Sequence, residues 1–316
     1  MIDLQTLTNQ RQVIVIGAAF GDVMLGLDQL PRSGGDVIAE ELGRHIGGCA
    51  FNVARALSRM DILPINAIPV GNGSWGKNVE AAMLNDNLLP LLRHPTHDNG
   101  WCIAMVEASK ERTFITMDGC EQHWNKSLLA QIPTPDNAIV YVSGYELVSE
   151  QSEPLRQWLL DLSDDKTLFV DFGPRLMDID PEFVSKLLAK KPILTVNRDE
   201  LALLNQQTPS NIYDAVIFTN KHQVSLICRF DSEGAKICQP RCQPKLIPAF
   251  KVKVSDTIAA GDSHCAGVIA GLSAGWALND AVELGNMVAA VVVSRPGSDG
   301  APTLAELNSF QAENST

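Results

Sequence analysis

The stretch "AIVYVSGYE" (138–146) is a short apolar run, rich in β-branched residues, that ends in a polar, glycine-bearing cluster. A strand with one wet face alternates apolar and polar side chains. An unbroken apolar run belongs to a strand buried on both faces, as in a parallel sheet. The same pattern recurs in "VIVIGAAFGD" (13–22), "TLFVDFGPR" (167–175), "ILTVNRDE" (193–200) and "SLICRFDSEG" (225–234). Several segments between these runs read as helices. In "EPLRQWLLDLS" (153–163) and "PEFVSKLLAKK" (181–191) the spacing is helical, and Phe183, Leu187 and Leu188 share a face. Strands alternating with helices predict an α/β fold, a doubly wound, mostly parallel sheet flanked by helices. Such sheets bind ligands beyond the carboxyl ends of their strands, where the polar clusters lie. A small ligand in a cleft is therefore expected.

Two pieces break the rhythm. "WCIAMVEASKERTFITM" (101–117) reads as a β-hairpin around a polar "SKER" turn. Met24 to His45, with Pro31 and Gly34-Gly35, reads as irregular. Together, over about 24–45 and 100–119, they are expected to form a small β lid on one domain spanning 1–316. A lid excludes water and completes a site on closure, while the plain alternative is an edge hairpin. The last residues, "QAENST" (311–316), are expected to fray.

Composition narrows the function. The 316 residues carry a net charge of −12, and no long run of Lys and Arg exists, which argues against a nucleic-acid surface. One phosphate ligand stays open, because backbone N–H groups can hold it. Apolar runs such as "MVAAVVV" fall far short of a membrane span, and "MIDLQTLTNQRQ" lacks a charged and then apolar leader pattern. A cytoplasmic protein is expected. The seven cysteines are odd in number and scattered, so reduced thiols are expected. Cys238 and Cys242 form a lone C-x-x-x-C that is not read as a metal site.

Four motifs carry candidate chemistry. In "IGGCAFNVARALSRM" (46–60), Gly47 and Gly48 let a ligand approach the backbone, and Asn52 offers an amide in the first helical turn. Taken alone, they are better explained by a tight turn before a helix. "GAAFGD" (17–22) lacks the dinucleotide glycine fingerprint, and its Asp22 is either a polyol ligand or a turn aspartate. In "VNRDE" (196–200), Asn197 and Glu200 suit phosphate and hydrated Mg²⁺, or else a capping box. "DFGPR" (171–175) shares only letters with a protein-kinase motif and reads as a strand-end loop. The strongest stretch is "DTIAAGDSHCAGVIAGL" (256–272). Asp262 stands at the mouth of an apolar helix, after small residues whose N–H groups can make an anion hole. It is either a base beside a held phosphoryl group or a helix cap.

In this order, over essentially the whole chain, these motifs resemble the ribokinase-like (PfkB) carbohydrate kinases. Gly47-Gly48 with Asn52 resembles the family's first signature, Asp256 to Asp262 its D-T-x-G-A-G-D, and Asn197 with Glu200 its N-x-x-E. Within the family the chain is most similar to a poorly characterised bacterial sugar-kinase branch. The resemblance implies Asp262 as the base, with the amides of Ala259, Ala260, Gly261 and Asp262 as the anion hole. It implies a sugar or nucleoside at Asp22, Gly47, Gly48 and Asn52. ATP and Mg²⁺ would be served by Asn197 and Glu200, with Arg229, Gly234 and Asn286 lining the nucleotide side. A monovalent cation, K⁺, would lie by Asp256, Ile258, Val292, Arg295 and Gly297. A homodimer through the lid is also implied.

Two departures stand out. Ala259 replaces the first motif glycine. An alanine would cost about 1 kcal/mol or more if φ > 0 were required there, and the position is read instead as one that tolerates a methyl group. Arg229 and Asp231 replace the first two marked residues of a nucleotide-side T-x-G-x-x-G loop, of which only Gly234 is kept. The expected activity is ATP- and Mg²⁺-dependent phosphorylation of a sugar hydroxyl, a terminal CH₂OH. A nucleoside kinase, with Trp101 or Phe114 stacking on a base, and a non-catalytic sugar-binding protein are the rivals. A phosphosugar would call on Arg44, Arg112 or Arg175.

Overall fold

A computed structural model describes residues 2–109, 111–207, 215–297 and 300–314, without the side chains of Arg112 and 205–207. The first part of the chain forms β1 (Val13–Ile16), β2 (Phe20–Leu27), β3 (Glu40–Gly47), α1 (Cys49–Arg59), β4 (Ile65–Ala67), β5 (Pro69–Val70), α2 (Ser74–Asn85), β6 (Leu92–Arg93), β7 (Trp101–Glu107) and β8 (Arg112–Met117). The middle forms α3 (Lys126–Leu129), β9 (Ile139–Ser143), α4 (Glu153–Asp161), β10 (Thr167–Asp171), α5 (Pro181–Ala189), β11 (Ile193–Val196), α6 (Arg198–Gln207) and α7 (Ala215–His222). Then come β12 (Ser225–Arg229), β13 (Ala235–Cys238), β14 (Lys245–Ile247), α8 (Ala260–Ser273), α9 (Leu278–Val293) and α10 (Leu304–Glu313).

Eight strands form the main sheet in the order β14-β13-β12-β11-β10-β9-β1-β4. The strands from β12 to β4 run parallel, and β13 and β14 are antiparallel additions. The apolar runs are unbroken because both faces are covered. Val13, Val15, Tyr141 and Phe169 point into a core shared with α1, α8 and α9. Ile14, Ile16, Val140, Val142, Leu168 and Val170 point the other way, towards α4 and α5. Each large apolar side chain so buried stabilises the fold by about 1.5–3 kcal/mol.

Helix α8 is interior, with every residue from Ser263 to Ser273 buried. It packs against α9 and α1. That burial accounts for its small, apolar composition.

A second sheet has the order β3-β2-β7-β8. The predicted hairpin is present, with Trp101 opposite Met117. The stretch from Met24 to His45 is less irregular than expected. Its ends belong to β2 and β3, which pair antiparallel with a register shift between Met24 and Leu25. Part of the tail expected to fray is helical instead. Thr303 and Glu306 form a reciprocal capping box, and α10 continues to Glu313, while Ser315 and Thr316 lie outside the described residues. Among the described residues no helix is long and apolar enough to cross a membrane.

Candidate active site

The start of α8 is built on a strained residue. Ala259 is its N-cap, with φ 58° and ψ 11° and no side-chain cap bond. This left-handed conformation costs an alanine about 1–2 kcal/mol. Asp262 is thus the third residue of the helix and not its cap. Ser263 N–H bonds Ala259 O at 2.9 Å. The N–H groups of Gly261 and Asp262, ahead of it, have no carbonyl one turn back to bond. They stand at the positive end of the helix dipole, where an anion would be favoured.

The amide Nδ2 of Asn52 donates to Asp262 Oδ2 at 2.8 Å, joining residues 210 apart in sequence. Burial pushes the Asp262 carboxyl up to about 6, helped by the charge of Asp171 and opposed by the Asn52 bond, the Cys49 thiol and Arg229. Near neutral pH it is a carboxylate that accepts a proton readily.

Gly48 ends the turn between β3 and α1 with φ 104°. A side chain there would begin 2.6 Å from Ala18 O, so only glycine fits. One turn into α1, Asn52 Oδ1 is buried with no partner, which leaves an acceptor facing the same region. On β2, Asp22 Oδ1 accepts from the Cys102 thiol at 2.8 Å. Its Oδ2 lies beside Gly47, 2.8 Å from where a β-carbon would stand. Burial raises the Asp22 carboxyl pKa, against the lowering pull of Cys102 and His45.

Glu146 was not expected. Its Oε1 accepts from Ala18 N–H at 3.1 Å and its Oε2 from the Ser143 hydroxyl at 2.6 Å. Burial pushes it up to about 7. It braces the 17–18 turn on which Gly48 rests. Its signal was present, since it ends the polar cluster after β9.

On the other side of α8, Asn197 and Glu200 bond one another. Asn197 N–H donates to Glu200 Oε2 (2.8 Å), Asn197 Nδ2 to Oε1 (2.9 Å), and Glu200 N–H to Asn197 Oδ1 (2.8 Å). This is a capping box opening α6. Glu200 is also an ion partner. Arg229, at the end of β12, donates through Nη2 to Glu200 Oε2 (3.3 Å) and to Asp171 Oδ1 (3.4 Å), and through Nη1 to Asp171 Oδ2 (3.2 Å). Burial and the nearby charge of Asp171 raise the Glu200 carboxyl, and Arg229 opposes them. Arg229 Nη1 stands 2.8 Å from where a Gly261 side chain would begin, so the guanidinium lies alongside the first turn of α8. Asp171 and Cys49 also escaped the sequence reading. Each touches this centre through residues remote in the chain.

The remaining candidates are dispersed. Gly234 turns the chain into β13 with φ 103°, and Asp231 is exposed with φ 52°. Asn286 donates its amide to the Ile247 and Pro248 carbonyls (3.0 and 3.1 Å), with Oδ1 3.2 Å from His264 Nε2. It ties α9 to the end of β14. Asp256 joins two loops, accepting from Ile258 N–H (3.1 Å) and Gly297 N–H (3.2 Å). Arg295 N–H bonds Val292 O at 3.0 Å, so the five residues of the expected cation site lie on adjoining segments. Among the described residues no three His, Cys, Asp or Glu gather as metal ligands.

Of the basic candidates, Arg44 pairs with Glu41 and Arg175 with Asp178, both at 2.9 Å, and the Arg112 side chain lies outside the described residues. Trp101 stacks on Trp75 at 5.6 Å, while Phe114 is exposed.

Known proteins share this arrangement of chain. The profile described as pfkB family carbohydrate kinase matches residues 10–304. An uncharacterised sugar kinase of Escherichia coli, YegV, is 40% identical over 307 residues, covering 96% of this chain and 95% of that one. A ribokinase structure from Thermotoga maritima superposes with a TM-score of 0.81 at 19% identity, over 96% of this chain and 99% of that one. A fructokinase with bound ATP from Xylella fastidiosa gives a TM-score of 0.78 at 17% identity, over 97% and 100%.

Proposed function

The chain belongs to the pfkB family of carbohydrate kinases, and from that membership we propose that it moves the terminal phosphoryl group of ATP onto a sugar hydroxyl, a terminal CH₂OH. The observation that carries this reading is the convergence of Asn52 and Asp262 at the open first turn of α8. Asp262 takes the acceptor hydroxyl's proton. Asn52 steadies its carboxylate and offers Oδ1 to a second hydroxyl. Asp22, Gly47 and Gly48 hold the rest of the polyol. The amides of Ala259, Ala260, Gly261 and Asp262 form the anion hole, where fixed dipoles relieve the developing charge. Asn197, Arg229 and Gly234 line the nucleotide side.

These residues fit the groups the reading needs. The N–H groups at the start of α8 suit phosphate, with that of Ala260 also bonded to the Thr257 carbonyl at 3.3 Å, and the orphaned Asn52 Oδ1 suits a hydroxyl. Mg²⁺, when bound, would neutralise phosphate charge, held by the phosphates and its own waters more than by a protein cage. K⁺ beside the Asp256 knot belongs to the proposal too, read as activity in potassium against choline salts. The second sheet, with β2 carrying Asp22 and β3 leading into Gly48, closes as a lid over about 24–45 and 100–119.

The test is ADP release from ATP and Mg²⁺ against a panel of sugars and nucleosides. Acceleration by a sugar is the expected result. Acceleration by nucleosides alone favours a nucleoside kinase, and sugar binding without turnover favours a binding protein. Asp262→Asn should lower kcat by roughly 10²–10⁴ with sugar affinity retained. Unchanged turnover would remove Asp262 from its role.

A further inference from the structure

We infer that Arg229 contacts the nucleotide's terminal phosphates at the mouth of α8, and that Asp171 and Glu200 are the positioning residues that aim it. The inference deepens the kinase reading and rests on it. The resemblance implied a small, uncharged residue and glycines on this side of the cleft, and the chain has a guanidinium.

Three observations converge. First, location. A β-carbon on Gly261 would begin 2.8 Å from Arg229 Nη1. The absent side chain at 261 is therefore what lets the cation lie against the N–H groups of the first turn. Second, orientation. Asp171 and Glu200 approach the guanidinium from β10 and α6, while Glu200 is itself fixed by both polar groups of Asn197. A planar fork held by two carboxylates keeps its direction, which a lysine ammonium would not. Third, spare capacity. The ion-pair distances are 3.2–3.4 Å, longer than the roughly 2.7–2.9 Å of a fully formed charge-assisted bond. Arg229 Nε is buried and has no partner. Held loosely by two carboxylates and, through Nη1, by the Cys265 sulfur at 3.7 Å, with Nε to spare, the guanidinium is equipped to receive another anion. Both Glu200 oxygens already accept hydrogen bonds, so Glu200 acts on the phosphates through Arg229.

The electrostatic sense is consistent. Asp171, Glu200 and Asp262 bring three carboxylates to one region that must receive a polyanion. Arg229 is strongly held in its charged form: burial works against the charge, and Asp171, Cys265 and Glu200 outweigh it. It is the fixed counter-charge that makes the cleft habitable for phosphate.

The test compares ligands that differ only in the triphosphate. ATP and adenosine binding are measured by calorimetry at saturating Mg²⁺, without acceptor, on the full chain. In Arg229→Met, ATP should bind about tenfold or more weaker with adenosine unchanged, and kcat should fall roughly 10²-fold. Asp171→Asn should show the same selective loss in smaller degree, and Arg229→Lys should recover little of it.

Because Arg229→Met leaves two buried carboxylates facing each other, Arg229→Met with Asp171→Asn is the variant to read if the single one fails to fold. ATP affinity equal to wild type in a folded variant overturns the inference. So does an equal loss for adenosine, which marks a collapsed pocket. If no acceptor drives turnover in the wild type, the kinase reading fails while the ATP-against-adenosine comparison still decides this one.

Discussion

Asp262 keeps its proton to about pH 6 because burial and Asp171 outweigh the Asn52 and Cys49 bonds. As the base it must be ionised, so kcat/KM should drop about tenfold per pH unit below 6. Folding is linked with the opposite sense. A carboxyl whose folded pKa lies above its ordinary 3.8 contributes stability that is complete below 3.8 and lost as pH rises through about 6. Wild type should therefore lose stability between pH 4 and 6 relative to Asp262→Asn, and the variant should be the more stable at pH 7. Parallel denaturant curves across that range would reject the burial argument. Ala259 is the other local strain. Ala259→Gly should raise stability by about 1 kcal/mol at unchanged cleft geometry, read from the urea midpoint at constant slope. A decrease would show that the methyl group packs usefully. Asp262 and Gly261 are legible in sequence because a motif at a helix start is local. The left-handed twist at Ala259 is legible only as a suspicion.

At the scale of the element, α6 shows one pair of residues answering two demands. Asn197 and Glu200 cap the helix and hold Arg229. Asn197→Ala should cost about 1 kcal/mol through the lost cap, and it should also weaken ATP binding, since Glu200 then loses its anchor. A stability loss with no change in ATP affinity would reduce the motif to a cap. Of the sequence alternatives for N-x-x-E, the cap is present, and the phosphate role is the proposed one, through Arg229. The alternatives for Asp262 are separated, because the N-cap position belongs to Ala259. Spacing could not resolve either case. An N-x-x-E box has the same letters whether or not a guanidinium from a strand 29 residues later reaches it.

At the scale of the whole molecule, the two larger sheets differ in character. The main sheet is buried on both faces. The second leaves Leu42, Phe114 and Ile115 exposed, which suits the proposed moving lid and the homodimer that the family resemblance implies. Sugar binding should lower the radius of gyration in small-angle scattering, and an unchanged value would reject closure. Light scattering across concentration should give a dimer, and a monomer throughout would reject pairing.

By itself the sequence determined the parallel sheet, because strands covered on both sides must be written as unbroken apolar runs. It also determined the start of α8, because an amide-lined helix mouth is encoded within a few residues. Tertiary structure alone decided what surrounds that mouth. Asn52 reaches Asp262 across 210 residues, and Arg229 reaches Asp171 across 58. Such contacts depend on how helices and strands are stacked, and periodicity carries no record of stacking between distant segments.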